Sequence, residues 1–285
     1  MMSASPKTVL CIHDLPGFGR AALAVIVPVL SAMGLQAVAV PTAVLSTHTG
    51  GLGTPAKLSN PGYGPAALAH YKRLGLRFDC IYSGYLADAS QAHLVEQAFA
   101  FWPDALKVVD PVLGDNGQLY RSLGPDLVEA QKRLCAAADV ILPNLTEAAL
   151  LLEEPQPSDA CPETVEPLAR RLTDLCPQVV VTGVLSGRCI GSLGADRGGG
   201  TFVTKTPLVP RMYHGTGDIF GAVLVGRLLQ GNVPHAAAQA AAAFVADCIR
   251  ATPPDADERL GVWLEAVLPR LPEKNAASAH SALTV

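Results

Sequence analysis

Short apolar runs alternate with amphipathic stretches along most of the chain. The runs TVLCIHD (8–14), LQAVAVPT (35–42), DCIYSG (79–84), KVVDP (107–111), DVILPN (139–144) and QVVVTG (178–183) are rich in β-branched residues and almost unbroken in hydrophobicity. Strands buried on both faces have this character. Helical stretches fall between them, near 20–33, 64–75, 88–101, 125–138, 146–153 and 163–175. Strand and helix in alternation predict an α/β fold: a mainly parallel central sheet with helices on both faces, three layers in all. RCIGSLGAD (188–196) and GGTFVTKTP (199–207), joined by Arg197 and Gly198, predict a hairpin. Two long helical runs follow, 217–230 and 234–251, with a shorter one near 256–268. Asn232 and Pro234 mark the start of the second. No repeat or linker divides the chain, so the reading is one domain over 1–271. The small, polar, aperiodic stretch 272–285 is expected to fray.

Composition narrows the function classes. At 285 residues, 49% hydrophobic and 16% charged, the chain can bury a large core. A formal charge of −4 carries no basic footprint for nucleic acid. The most apolar segments, such as ALAVIVPVL, are too short and too interrupted to span a bilayer. Residues 1–10 run straight into a strand pattern and show no secretory signal. The seven cysteines are odd in number, contain no CxxC and sit mostly in apolar runs, which suits buried thiols in a reducing cytoplasm.

The candidate chemistry centres on HGTGDIFG, His214 to Gly221. A glycine-rich turn that opens a helix leaves the first backbone amides unpaired, and with the helix dipole they form an anion site. Asp218 in the first turn reads two ways. It is either a charge that favours the dipole or a general base beside an anion hole built by Gly215, Thr216 and Gly217, as phosphoryl transfer to an alcohol requires. Other polar clusters fall at predicted strand ends, where such folds bind ligands. Ser46 to Gly51 combines hydroxyls, His48 and two glycines. DPVLGDNGQLY holds Asp110, Asp115 and Tyr120 and could form a flap; Asp110 before a proline could equally just end a strand. Asn144 and Glu147 fit a capping box, or else face phosphates and Mg²⁺.

A rival pattern needs weighing. After strand one, His13-Asp14-Leu15-Pro16-Gly17-Phe18-Gly19 with Ala22 matches G-x-G-x-x-A at what reads as the opening of a helix. A dinucleotide site expects an acid at the end of strand two, and Val40-Pro41-Thr42 supplies none. The glycines fit close backbone approach to a small ring better, with Asp14 as a polar contact or a cap. The Walker pattern and the protein-kinase motifs are absent, so the helix start at 215–218 must serve any transferred phosphate.

HGTGDIFGAVL resembles the G-[TA]-G-D signature of the ribokinase-like superfamily. LSTHTGG, YSGY, DPVLGD and LPNLTEAALL resemble, in order, further landmarks of its pyridoxal/pyridoxamine (vitamin B6) kinases. The resemblance spans about residues 8–250. It implies an ATP-dependent kinase of ribokinase-like fold that phosphorylates the 5′-hydroxymethyl group of a B6 vitamer. By position, Asp218 would be the base and the amides of Gly215, Thr216 and Gly217 the anion hole. Asp110, Asn144 and Glu147 would serve the Mg²⁺–triphosphate end, Asp110 and Glu147 toward the metal and partly through water. Thr182 and Gly183 would lie along the nucleotide. Asp14, His48, Thr49 and Tyr85, together with Asp218, would line the vitamer pocket. A monovalent cation such as K⁺ and a homodimer are implied as well.

Two departures stand out. Asp14 replaces the serine that the B6 kinases carry, which suggests a preference for a cationic amine or a protonated pyridine nitrogen. The flap is also shorter than in the mammalian enzymes. The alternative within the superfamily is a hydroxymethylpyrimidine kinase of thiamine synthesis, which would read GTGC and open with AGSDxSGGAG. Outside it, a nicotinamide oxidoreductase or a silent nucleotide-binding regulator would be the rivals.

Overall fold

The computed structural model describes residues 5–120 and 123–271, so the stretch 272–285 read as a frayed tail lies outside the described residues. The strands are β1 (Thr8–Phe18), β2 (Gln36–Thr47), β3 (Lys57–Leu58), β4 (Cys80–Ser83), β5 (Leu106–Val109), β6 (Gly114–Asp115), β7 (Gln118–Leu119), β8 (Val140–Ile141), β9 (Gln178–Ser186), β10 (Cys189–Asp196), β11 (Thr201–Val203) and β12 (Thr206–Pro207). The helices are α1 (Leu23–Ala32), α2 (Tyr63–Arg73), α3 (Ala92–Phe101), α4 (Pro125–Ala136), α5 (Leu145–Leu152), α6 (Pro162–Leu172), α7 (Thr216–Leu229) and α8 (Pro234–Ala251).

The main sheet has the order β11-β10-β9-β8-β5-β4-β1-β2-β3, with β12 also on β10. All pairs from β9 through β8, β5, β4 and β1 to β2 are parallel, and the edges at β3 and β10–β12 are antiparallel. Each face is sealed by its own apolar cluster. Leu10, Ile12, Ile81 and Val109 pack under α2–α6, while Val9, Cys11, Tyr82 and Val108 pack under α1, α7 and α8. Alternate residues of one strand thus serve opposite cores, which is why the strands read as continuous hydrophobic runs. The ribokinase-like α/β architecture expected from the sequence is present. No described helix is long and apolar enough to cross a membrane.

Several boundaries differ from the sequence reading for identifiable reasons. The stretch after His13 does not open a helix. β1 continues to Phe18 paired with β2, through a register shift opposite Asp14 where β2 carries one extra residue, and α1 starts only at Leu23. Pro16 is tolerated because β4 ends at Ser83, leaving that side of β1 without a ladder. β2 likewise runs to Thr47 rather than stopping near Thr42, and carries the unforeseen β3 on its outer edge. The second arm of the predicted hairpin is split into β11 and β12. Thr204 lies between them, where its hydroxyl accepts from Ser192 N over 2.8 Å, at the register shift in which β9 carries the extra residue Gly183 against β10. The flap segment is a small hairpin, β6–β7. The helix expected near 256–268 is absent, replaced by single 3₁₀ turns at Glu258–Leu260 and Leu268–Arg270. Pro269 and Gly261, with φ +75°, leave no room for a continuous ladder there.

Candidate active site

The chain leaves β1 toward β2 on one side and passes from β3 to β4 on the other, so the strand order reverses between β1 and β4. Beyond the ends of β5, β8 and β9 the structure holds a cavity of about 880 Å³. Asp110 after β5, Asn144 and Glu147 after β8, Thr182 and Gly183 in β9, and Gly215 to Asp218 at the start of α7 all line it. Segments scattered over a hundred residues of sequence are thus brought to one place, whereas the polar ends of β1, β2 and β4, Asp14 among them, lie outside the lining.

α7 begins without a side-chain cap. Gly215 is its N-cap at φ +80°, and a Cβ there would lie 2.0 Å from Arg20 O, so only glycine fits this turn. The uncapped first-turn amides are the orphan donors of a helix start, facing the cavity with the positive end of the dipole. Asp218 lies in that turn and accepts the amide of Ala22 at Oδ2 over 2.9 Å. Burial raises its pKa to about 6 although the Ala22 bond pulls the other way. Asp14, 8% exposed, is pushed up to about 7 by burial and then by the nearby Asp218 charge.

At the other end, Asn144 and Glu147 form the capping box of α5. Asn144 Oδ1 accepts from Glu147 N over 2.9 Å, and Glu147 Oε2 accepts from Asn144 N over 2.8 Å. They do more than cap. Glu147 Oε1 accepts from Leu113 N and Asn144 Nδ2 donates to Gly114 O, which ties α5 to the β6–β7 flap. Burial, then the charges of Glu147 and Asp218, hold the Asp110 carboxyl well above the usual range, and burial raises Glu147 to about 8 although three backbone amides pull it down. Four acids, Asp110, Asp115, Glu147 and Asp218, therefore share the lining with one arginine, Arg211. That guanidinium donates to the carbonyls of Ile249, Thr252 and Pro253 at the end of α8 and to Tyr213 Oη. Among the described residues no three His, Cys, Asp or Glu side chains are grouped as a ready metal cage.

The remaining expected residues lie outside the cavity lining. His48 is buried with both ring nitrogens bonded, Thr49 is exposed, and Tyr85 is half-buried against the core with its carbonyl accepting from Thr42. The wall made by Tyr213 and the Ala242, Val245, Ala246 and Ile249 face of α8 lies outside the residues that the sequence reading selects. Its i, i+3, i+4, i+7 spacing was visible, but which core or cavity it faced was not.

An uncapped helix start beside a raised carboxylate, beyond the strand ends of a mainly parallel sheet, fits a kinase of the ribokinase-like class. The phosphomethylpyrimidine kinase family model matches residues 27–261. A Bacteroides thetaiotaomicron protein put forward as a phosphomethylpyrimidine kinase is 38% identical over 96% of both chains, with a TM-score of 0.90; a second crystal form of it contains pyridoxal. The pyridoxal kinase of Lactobacillus plantarum is 34% identical, covering 93% of this chain and 96% of its own, with a TM-score of 0.86. The pyridoxal kinase PdxY of Deinococcus radiodurans is 28% identical over 79% of this chain and 80% of its own. The chain belongs to the phosphomethylpyrimidine kinase family, among its ribokinase-like pyridoxal kinase members.

Proposed function

We propose that the protein transfers the γ-phosphoryl group of ATP to the 5′-hydroxymethyl group of a vitamin B6 vitamer. The observation that carries this reading is Asp218, a raised carboxylate in the first turn of an uncapped helix that faces a nucleotide-sized cavity. Ionised Asp218 accepts the alcohol proton as the substrate oxygen forms its bond to the γ-phosphorus and the bond to the β-phosphate oxygen breaks, releasing ADP. The amides of Gly215, Thr216 and Gly217 meet the charge on the equatorial oxygens. A pKa near 6 makes a stronger base than an ordinary carboxylate while leaving it ionised at neutral pH.

Thr182 and Gly183 lie along the nucleotide in this reading, with Asp110, Asn144 and Glu147 at its phosphates. The acid-rich lining, whose arginine is committed to carbonyls, suits a nucleotide that brings its own cation. Mg²⁺ bound with ATP would neutralise the phosphate oxygens. Asp110 would hold it directly, and Glu147 through water, since both Glu147 oxygens already accept amides. A monovalent cation and a homodimer belong to the same proposal and rest on the family resemblance.

At the ring end, Asp14, Thr49 and Tyr85 are the proposed contacts. Asp14 sits beside Asp218, whose charge and its own burial both disfavour a second carboxylate, so a substrate amine or protonated ring nitrogen would offset that charge, favouring pyridoxamine. The pyridoxal in the Bacteroides relative supports a B6 ring. The family's description favours a second reading, a hydroxymethylpyrimidine, which presents the same alcohol on a nitrogen heteroaromatic. Incubation with Mg-ATP and, separately, pyridoxal, pyridoxamine, pyridoxine and hydroxymethylpyrimidine decides between them by mass spectrometry of the phosphate esters. No ester from any B6 vitamer overturns the main reading.

A further inference from the structure

His48 occupies an unusual position among four segments that are far apart in sequence. It is 5% exposed. Its Nδ1 accepts the Gly50 amide over 3.0 Å, which assigns the neutral-ring proton to Nε2, and Nε2 lies 2.6 Å from the carbonyl oxygen of Arg259. Its own amide donates to Phe18 O over 3.4 Å. The ring edge rests on Gly19, where a Cβ would come within 2.3 Å of His48 Cδ2, and Gly19 has φ +93°. The His214 imidazole lies on the other side, 5.1 Å between centroids, and fills the space a Cβ on Gly50 would need. The glycines that resembled a dinucleotide fingerprint therefore have a different use: one of them makes room for this imidazole.

The segment that carries the Arg259 carbonyl is not a free end. Leu260 O accepts the Arg20 amide over 3.2 Å, Arg20 Nε is 2.8 Å from Glu265, and Gly261 packs against Arg20 and the carbonyl of His214. Residues 257–261 thus brace both the turn that delivers the Ala22 amide to Asp218 and the loop that holds Thr49. Within this arrangement His48 is the one side chain bonded to the loop at one nitrogen and to the 257–261 backbone at the other.

We infer that His48 is a positioning residue, a clasp that fastens the loop His48–Gly51 to a C-terminal strap, Asp257–Gly261, and so fixes the ring-binding end of the site. This replaces the expectation that the imidazole touches the vitamer, because both of its nitrogens are committed within the protein. The inference rests on the vitamer-kinase reading for its kinetic effect but not for its structural one. Breaking the clasp removes the His48 partner of the Arg259 carbonyl and frees Thr49 to move, while Asp218 keeps its Ala22 amide.

Three variants dissect the two bonds. A glutamine amide nitrogen reaches the Nε2 position and keeps the strap bond, whereas asparagine mimics only Nδ1 and alanine keeps neither. With the preferred vitamer, His48→Ala and His48→Asn are expected to raise its KM about tenfold or more, with kcat within about threefold and the KM for ATP unchanged, and His48→Gln to recover to within about threefold of wild type. A Gln variant as impaired as Ala, or an Ala variant that loses kcat at constant KM, would overturn the assignment. Hydrogen exchange of the full-length protein gives a second readout that needs no turnover. Amides 257–261 should exchange faster in His48→Ala and His48→Asn and at the wild-type rate in His48→Gln; equal protection in all three sinks the clasp. Should His48→Ala not fold, the Asn and Gln pair makes the same comparison. An inert wild-type enzyme would defeat the functional reading, and exchange would still decide this one.

Discussion

The backbone amide of Ala22 donates to Oδ2 of Asp218 over 2.9 Å, across 196 residues of sequence. Ala22 takes φ +47°, a conformation alanine rarely adopts, at the start of α1. The strained turn and the carboxylate belong to one arrangement, in which one oxygen of Asp218 is held by backbone and the other is left toward the cavity.

Asp218→Asn keeps the shape and the Ala22 contact while removing the proposed base. Turnover should fall by about 10²–10⁴-fold, the usual worth of a positioned base, with ATP affinity unchanged. Steady-state kinetics alongside calorimetric ATP titration checks this, and undiminished turnover refutes the base assignment.

The acid limb of the pH–rate profile should have its midpoint near pH 6, where burial places Asp218, because protonation removes the base. A profile of kcat that stays flat down to pH 5 contradicts the assignment.

Asp14 gives a stability prediction of opposite sense to the usual carboxylate. Its folded pKa of about 7 lies above the ordinary 3.8, so the folded state binds the proton more tightly. The stability this provides is present at low pH and is lost as pH rises from about 4 through 7. Asp14→Asn should therefore raise ligand-free stability by roughly 1–3 kcal/mol at pH 8 and by little near pH 4. Thermal melts at the two pH values test the sign. In competition assays Asp14→Ser should shift preference away from pyridoxamine; an unchanged ratio removes Asp14 from vitamer choice.

Gly221 faces the phenol of Tyr82, which is buried: a Cβ at 221 would come within 2.0 Å of Tyr82 Oη. Gly221→Ala should destabilise by about 1–3 kcal/mol, as overpacking does. Tyr82→Phe removes the clashing oxygen, so the double variant should be more stable than Gly221→Ala alone. Denaturant unfolding of the four proteins closes the cycle, and strict additivity would show that the two do not share the space.

Much of the fold is legible because strand burial leaves a direct trace. Val9 and Leu10, or Val108 and Val109, serve opposite cores, so both must be apolar and the run is unbroken. The helix start at Gly215 is equally plain, since a positive-φ turn against Arg20 O admits only glycine. What pattern alone misreads is the stretch from His13 to Ala22. Its glycines look like a helix-opening phosphate loop, yet they lie on and beyond an extended strand, one of them packed against His48. The end at 256–268 is misread for a related reason. Its apolar residues Val262, Leu264 and Val267 are buried as singly anchored points rather than on a helical face.

The order of strands and helices, the apolar faces and the anion-friendly start of α7 are local properties, and the sequence by itself determines them through periodicity and glycine placement. The pairing of Asp14 with Asp218, the Ala22 amide on the carboxylate, and the His48 ring between Gly19, His214 and Arg259 are decided only in three dimensions. Each joins residues from separate crossovers, and no local preference records which distant backbone group will arrive beside a given side chain. The raised pKa values follow from the same cause: a carboxylate's burial depends on what the rest of the chain stacks around it.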